Sequence, residues 1–161
     1  MKLEKDIILF VNFEVLEEIK LCVEKAKPNE ACGLIFGRIE EQKKPNSKDE
    51  FFYHFYGKKF ECIESSHKSP IAFLMDDYTK LIELSSTYSK EYNYQLISIF
   101  HSHPGRAYPS GIDIPYMEGY YKSGVSKFKH LIWTIMNANS EKLNGFIYVF
   151  NELKQIQIRE K

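Results

Sequence analysis

The chain has 161 residues, of which 43% are hydrophobic and 27% charged, so it is long enough and apolar enough to fold around a core of its own. Lysine plus arginine and aspartate plus glutamate each number 22, and the resulting formal net charge of zero gives no support for the basic surface that a nucleic-acid partner needs. No apolar run exceeds five residues, whereas a membrane-spanning helix needs about 20, so we expect no membrane segment.

The first part of the chain alternates between strand and helix patterns. Ile7–Val11 is a short apolar run typical of a buried strand. An amphipathic helix follows and ends at Lys27-Pro28, because apolar residues recur at steps of three and four up to that point. Ala31–Ile39 predicts a central strand, Glu40–Glu50 a solvated hairpin tip or loop, and Phe51–Phe60 a further strand.

The middle of the chain contains a second helix. Cys62–Pro70 has little pattern and is expected to be irregular. A helix should begin near Asp76 or Asp77, either of which can cap it. The buried stripe expected for this helix is Tyr78, Leu81, Ile82, Ser85 and Tyr88. Leu96–His103 then predicts a strand, which Pro104 ends because proline cannot continue a ladder of hydrogen bonds.

A helical stretch from about Asp113 precedes three strands at the end of the chain. The strands are predicted at Leu131–Met136, Leu143–Phe150 and Leu153–Ile158, and Asn151-Glu152 should form the tight turn between the last two. No linker or repeat divides the sequence. The elements therefore predict one α/β domain over residues 1–161, with a mixed sheet covered by helices.

The chain has three cysteines, Cys22, Cys32 and Cys62, which are odd in number, widely spaced and without a CxxC motif. This pattern favours reduced thiols over a disulfide framework. We therefore expect a cytoplasmic protein.

The strand that ends at His103 carries candidate metal ligands. His101 and His103 are two residues apart, so their side chains point to the same face of a strand and can bind one ion together. Asp113 lies beyond the following loop and can fold back as a third ligand. Two imidazoles and a carboxylate suit Zn²⁺ and leave its fourth position open, which is typical of catalytic sites. Taken singly, a His-x-His pair is weak evidence, Asp113 is more often a helix cap, and Ser110 is more often a turn residue.

Two segments together resemble a known family. The His-Ser-His-Pro sequence at 101–104, followed by Ser110-x-x-Asp113, is similar to the signature of the JAMM metalloproteases, also called the MPN+ or JAB1/MPN family. That family has an upstream glutamate just before a Cys-Gly-Leu-x-x-Gly strand, and residues 30–37 here match that element. The loop between His103 and Ser110 has six residues where the family usually has seven.

The resemblance implies an MPN fold, which is cytidine-deaminase-like and built on a mixed, curved β-sheet flanked by helices. It also implies one catalytic Zn²⁺ held by His101, His103 and Asp113. Glu30 would then act as the general base on a bound water, and Ser110 would donate its hydroxyl to the developing oxyanion.

The family's known substrates are bonds after the C-terminal Gly-Gly of ubiquitin or ubiquitin-like modifiers. We therefore expect a deubiquitinase-like isopeptidase that acts on such conjugates as a monomer or simple homodimer, its substrate tail held by strand addition to an exposed edge. The alternatives are a JAMM peptidase that processes a sulfur-carrier protein or a small peptide, and a non-catalytic MPN scaffold. Lys58–Ser69 and Ile114–Lys129 are candidates to shape the substrate groove, although the second stretch could equally pack its aromatic residues inward.

Overall fold

The computed structural model describes residues 6–64 and 78–161. In these parts of the chain it contains seven strands and three helices. In chain order they are β1 (Ile7–Val11), α1 (Phe13–Ala26), β2 (Cys32–Lys43), β3 (Phe51–Ile63), α2 (Tyr78–Tyr92), β4 (Gln95–His103), α3 (Asp113–Lys122), β5 (Ile132–Asn137), β6 (Leu143–Val149) and β7 (Glu152–Glu160). None of these helices is long and apolar enough to cross a membrane.

The seven strands form one closed ring. Their order is β1-β3-β2-β4-β5-β6-β7, and β7 returns to β1, so each strand has a neighbour on both sides. The pairs β1–β3, β1–β7 and β4–β5 are parallel, and the other pairs are antiparallel. The predicted mixed sheet with helices against it is therefore confirmed, and the sheet curves until it closes.

The strands of the ring are not paired on both sides along their whole length. Residues 38–43 of β2 run beyond β4 and pair with β3 alone, and residues 59–63 of β3 run beyond β1 and pair with β2 alone. Helix α1 is attached beside that stretch, because Cys22 of the helix is bonded to Cys62 and Glu18 accepts a hydrogen bond from the backbone of Phe60. Residues 59–63 are therefore not an open edge along their whole length, whereas residues 38–43 have no second strand partner among the described residues.

Two apolar cores lie on opposite faces of the sheet. Helix α1 packs into the first core with Leu9, Phe55 and Ile132, and helices α2 and α3 cover the second core, which contains Leu34 and Trp133. All five of these strand side chains are at most 2% exposed. The sheet is therefore buried on both faces where the helices cover it.

A bulge in β4 decides which of its side chains face which core. Phe36 pairs with Leu96 and Ile35 with Ser98, so Ile97 is an extra residue in β4. Leu96 and Ile99 both pack in the second core although they are three positions apart, an odd step that would place them on opposite faces of a regular strand. From Ile99 onwards the strand alternates regularly, and this alternation carries the two predicted histidine ligands to a common face.

Several local predictions need correction. The tight turn between β6 and β7 is made by Phe150 and Asn151, at φ 54° and 63°, one residue earlier than predicted. Strand β2 runs to Lys43, into the stretch predicted as loop. Met117 and Tyr120 are at most 2% exposed, so within Ile114–Lys129 the inward-packing alternative is correct for them. Residues 65–77, with the helix cap predicted at 76 or 77 and part of the 58–69 stretch, lie outside the described residues.

The expectation of three reduced thiols is wrong. Cys22, in the last turn of α1, and Cys62, near the end of β3, form a disulfide with a Cα–Cα distance of 5.7 Å. Only Cys32 is a free thiol, and burial raises its pKa to about 12, which agrees with a packing role. A cytoplasmic location therefore no longer follows from the cysteines.

Gly37 is required by the close approach of two strands. A Cβ placed there would lie 1.8 Å from the carbonyl oxygen of Tyr56 on β3, so backbone would have to move. We expect Gly37→Ala to lower the free energy of unfolding by about 3 kcal/mol or more. Gly119 in helix α3 is the matched control, because a Cβ there meets nothing within 4 Å, and Gly119→Ala should stabilise the protein by about 0.5–1 kcal/mol. Urea denaturation measures both, and equal stabilities of Gly37→Ala and wild type would contradict the prediction.

Candidate metal centre

The end of β4 positions two histidines in the interior. His101 pairs with Cys32 of β2 and Ile135 of β5, and His103 pairs with Asn137 at the end of β5. The two histidines are 0% and 4% exposed. Because they lie two residues apart in a regular stretch of strand, both rings point to the same face, as the sequence predicts.

The loop after β4 returns Asp113 to this face. Ser110 and Asp113 bind each other reciprocally: the Ser110 N–H donates to Asp113 Oδ2 at 2.6 Å, and the Asp113 N–H donates to Ser110 Oγ at 3.2 Å. This reciprocal contact closes the turn that leads into α3, whose first residue is Asp113. Ser110 therefore has the turn role considered for it, and the contact also directs the Asp113 carboxylate toward the histidines.

The three predicted ligand atoms form a small triangle. His101 Nε2 and His103 Nε2 are 3.2 Å apart, and Asp113 Oδ2 lies 3.2 Å from the first and 3.0 Å from the second. A tetrahedral zinc ion about 2.0–2.1 Å from each ligand needs ligand atoms about 3.3 Å apart. Two nitrogens and one oxygen at this spacing fit Zn²⁺, although the geometry alone does not select the metal.

Glu30 lies beside the triangle, on the segment that leads into β2. Its Oε1 is 2.9 Å from His103 Nδ1, and its side chain is 25% exposed. The neighbouring residue is held at the same place by β4, because Ser102 donates its N–H to the Ala31 carbonyl at 3.0 Å and accepts from the Ala31 N–H at 2.8 Å. A carboxylate on the far nitrogen of a ligand histidine fixes the orientation of that ring. The predicted role of Glu30 as a base on a bound water stays a prediction.

Burial and the neighbouring carboxylates separate the pKa values of these groups. Burial lowers the pKa of His101, which keeps it in the neutral form that binds metals. Burial opposes the charge on His103 too, but the hydrogen bonds that this ring donates to Asp113 and Glu30 outweigh it and raise the pKa to about 9. Burial would raise the pKa of Asp113, yet the two histidines hold it far below its usual value. Without a metal, His103 is therefore in the protonated, positively charged form at neutral pH, with a proton on each ring nitrogen. Its ring lies between the carboxylates of Glu30 and Asp113.

This proton gives zinc binding a defined pH dependence. His103 must lose it before Nε2 can bind an ion, so we expect the apparent zinc affinity to rise about tenfold per pH unit up to about pH 9 and then to level off. Competition with a chromophoric chelator at successive pH values measures this. In Glu30→Gln one of the two carboxylates is gone, so the plateau should begin at lower pH. An affinity that is already constant above pH 6.5 would contradict the prediction.

Sequence reasoning missed two residues that hold the centre in place. Asn144 of β6 is 6% exposed and donates its side-chain amide to the Ala107 carbonyl at 3.0 Å, and Ala107 is itself 3% exposed. This contact anchors the middle of the loop between His103 and Ser110. A signal existed, since Asn144 is a polar residue at the start of an otherwise apolar strand. Ser102 lies between the two histidines on β4, and its contact with Ala31 was not foreseen.

Comparisons with known proteins identify the family and the fold. The sequence model of the family described as prokaryotic homologs of the JAB domain matches residues 14–143. The solution structure of protein DSY2949 from Desulfitobacterium hafniense is similar, with a TM-score of 0.68 and 22% identity, and the match covers 95% of this chain and 92% of that one. At that identity the likeness concerns the fold alone. No curated protein matches this chain.

Proposed function

This chain belongs to the family of prokaryotic JAB-domain homologues, and on that premise we propose that it is a zinc-dependent JAMM-type peptidase that hydrolyses the bond after the C-terminal Gly-Gly of a ubiquitin-like modifier. The observation that carries the proposal is the triangle of His101, His103 and Asp113, whose ligand atoms lie 3.0–3.2 Å apart with Glu30 beside them. A non-catalytic scaffold has no need for this set of groups in one place.

The three ligand residues would hold the ion, which would supply a water acidic enough to ionise near neutral pH and would polarise the substrate carbonyl. The chain itself must supply a group that moves protons. Glu30 suits this role because its carboxylate contacts His103, one of the three residues of the triangle. The Glu30 side chain is also a quarter exposed, so it can contact both water and substrate. It would accept a proton during attack and return it to the leaving amine, since an expelled amine must be protonated.

Ser110 would stabilise the oxyanion. Its oxygen accepts from the Asp113 N–H, and a hydroxyl that accepts in this way still has its own hydrogen to donate. The reciprocal contact with Asp113 also fixes the position of Ser110 relative to a metal ligand. Donors fixed before the reaction are the kind that stabilise a developing negative charge most effectively.

The burial of the centre supports glycine at the cleavage site. His101, His103 and Asp113 are all less than 5% exposed, so the scissile bond must approach closely. Glycine has no side chain to prevent that approach. Ubiquitin-like modifiers and sulfur-carrier proteins both end in Gly-Gly, and both belong in a test of substrates.

The test is a cleavage assay on a panel of Gly-Gly-terminated fusions, including a ubiquitin-like modifier, a sulfur carrier and a short peptide. Metal-stripped protein should cleave none of them and should regain activity as one equivalent of Zn²⁺ is added. Asp113→Ala is the control, because it should stay folded and fail to recover. A folded protein that binds a panel member but cleaves nothing at saturating zinc would instead identify a scaffold.

A further inference from the structure

An apolar groove of about 710 Å³ runs along helix α2, at the end of β4 that is far from the metal ligands. Its lining includes Gln95 and Leu96, whereas the two candidate histidine ligands are at the other end of the same strand. Leu96 and His103 are seven residue steps apart along the extended strand, which is roughly 20–25 Å. The groove is therefore a separate site and does not belong to the candidate metal centre.

The groove exists because α2 has two different faces. Leu81 and Tyr88 pack into the second core. A neighbouring stripe faces the groove and consists of Ile82, Ser85, Ser86, Ser89 and Lys90. Three of these five side chains are serines, which are too short to reach across to the residues on the other side. Ile82 was predicted to be buried, but it is 62% exposed at the rim of the groove.

The floor and rim of the groove are apolar. Leu81, Leu96 and Phe128 line it and are each at most 9% exposed, while Val125 stands 44% exposed at the rim near Ile82. Exposed apolar side chains around a concave apolar surface are typical of binding sites. The groove has room for two or three apolar side chains of a partner.

The charged residues around the groove are positive. Lys90 and Lys127 line it together with no carboxylate, and neither forms an ion pair within residues 6–64 and 78–161. An adjoining cavity of about 440 Å³ shares Ser89, Tyr94 and Gln95 with it and adds Arg38, whose guanidinium carbon lies 5.4 Å from the centroid of the Tyr94 ring. The adjoining cavity also contains one acidic residue, Glu40. The larger groove is thus electrostatically complementary to an anionic partner.

We propose that this groove docks a short acidic, amphipathic segment of a partner protein. Two or three apolar side chains of the segment would occupy the floor, and its carboxylates would pair with Lys90 and Lys127. A second copy of this chain is a poorer occupant, because a symmetric contact through this face would bring the same lysines against each other. The docking surface is independent of the peptidase activity proposed above.

The test uses two fluorescein-labelled helical peptides and measures anisotropy at low salt. The acidic peptide carries leucines flanked by glutamates, and its twin has lysines in place of the glutamates. Wild type should bind the acidic peptide at least tenfold more tightly than the twin. Lys90→Glu with Lys127→Glu should reverse that order, because each peptide then meets the opposite charge. Ser86→Trp, which fills the groove from an exposed helix position, should abolish binding of both peptides.

Lys142→Glu is the matched control, since this exposed lysine lies in the turn between β5 and β6, and it should change neither affinity by more than about twofold. Equal affinity of wild type for the two peptides, no binding of the acidic peptide, or indifference to the double charge reversal would each overturn the proposal. Self-association of wild type that Ser86→Trp removes would identify a second copy as the occupant and overturn it as well.

Discussion

Replacing Glu30 with glutamine should lower the rate of cleavage of a Gly-Gly-terminated fusion by about 10²–10⁴-fold while zinc stays bound. The glutamine carbonyl can still accept a hydrogen bond from His103 Nδ1, which Glu30 approaches to 2.9 Å, so the ring keeps its orientation. The amide cannot accept a proton from a water. The substitution therefore separates the two roles that the structure allows for this carboxylate, orienting a ligand and moving protons. Measurements of kcat, KM and zinc content under saturating zinc check the prediction.

Two variants complete this experiment. Glu30→Ala removes both roles, so it should lose activity and also bind zinc about tenfold or more weakly. Glu24→Gln is the control, because Glu24 is an exposed carboxylate on α1 that pairs with Lys27, and it should behave as wild type. Undiminished cleavage by Glu30→Gln would show that the general-base assignment is wrong. A loss that more zinc restores would assign Glu30 to ligand orientation alone.

Removing the disulfide should have the largest effect on stability. The bond between Cys22 and Cys62 closes a sequence separation of 40 residues. Because such a cross-link restricts the unfolded chain, Cys22→Ala with Cys62→Ala should lower the free energy of unfolding by about 4 kcal/mol. Cys32→Ala is the control for the loss of a buried sulfur and should cost less, about 1–2 kcal/mol.

Denaturation with and without a thiol reductant checks this prediction. Reductant should lower the stability of wild type toward that of the double variant and leave the double variant unchanged. Equal stability of wild type in both conditions would mean that the bond is absent from the protein in solution. Glu30 lies in the segment between α1 and β2. Measuring bound zinc with and without reductant would show whether the disulfide also supports this segment.

The sequence predicted that His101, His103 and Asp113 come together, because the geometry of this group is mostly local. His101 and His103 share a face through strand alternation, and Ser110 and Asp113 meet in a Ser-x-x-Asp turn of fixed spacing. The Glu30 position came from family resemblance, since nothing in residues 27–31 alone distinguishes it from a solvated acid. Its contact with His103 joins residues 73 apart in sequence and depends on how β2 pairs with β4.

The predictions that failed depend on contacts between elements that are distant in sequence. The pairing of Cys22 with Cys62 depends on where α1 lies against β3, which spacing along the chain does not reveal. Ile82 has helical spacing relative to Tyr78 and Ser85 in the sequence, but the boundary between the buried and exposed faces of α2 is set by what packs against the helix. The anchor from Asn144 to Ala107 joins residues 37 apart on different elements. Each miss depends on how separate elements pack against one another, which spacing along the chain does not encode.

Closure of the ring also constrains the order of assembly. Strand β1 lies between β3 and β7, with Ile8 opposite Gln157 and Val11 opposite Glu160. During synthesis on the ribosome, β1 therefore cannot pair with β7 until almost all of residues 6–161 have been made. Pairings of such long sequence separation are slow, because loop closure costs entropy before any contact compensates for it. Nascent chains of this protein should therefore expose apolar strands for a comparatively long time. We expect chaperones to bind the chain mainly during this period.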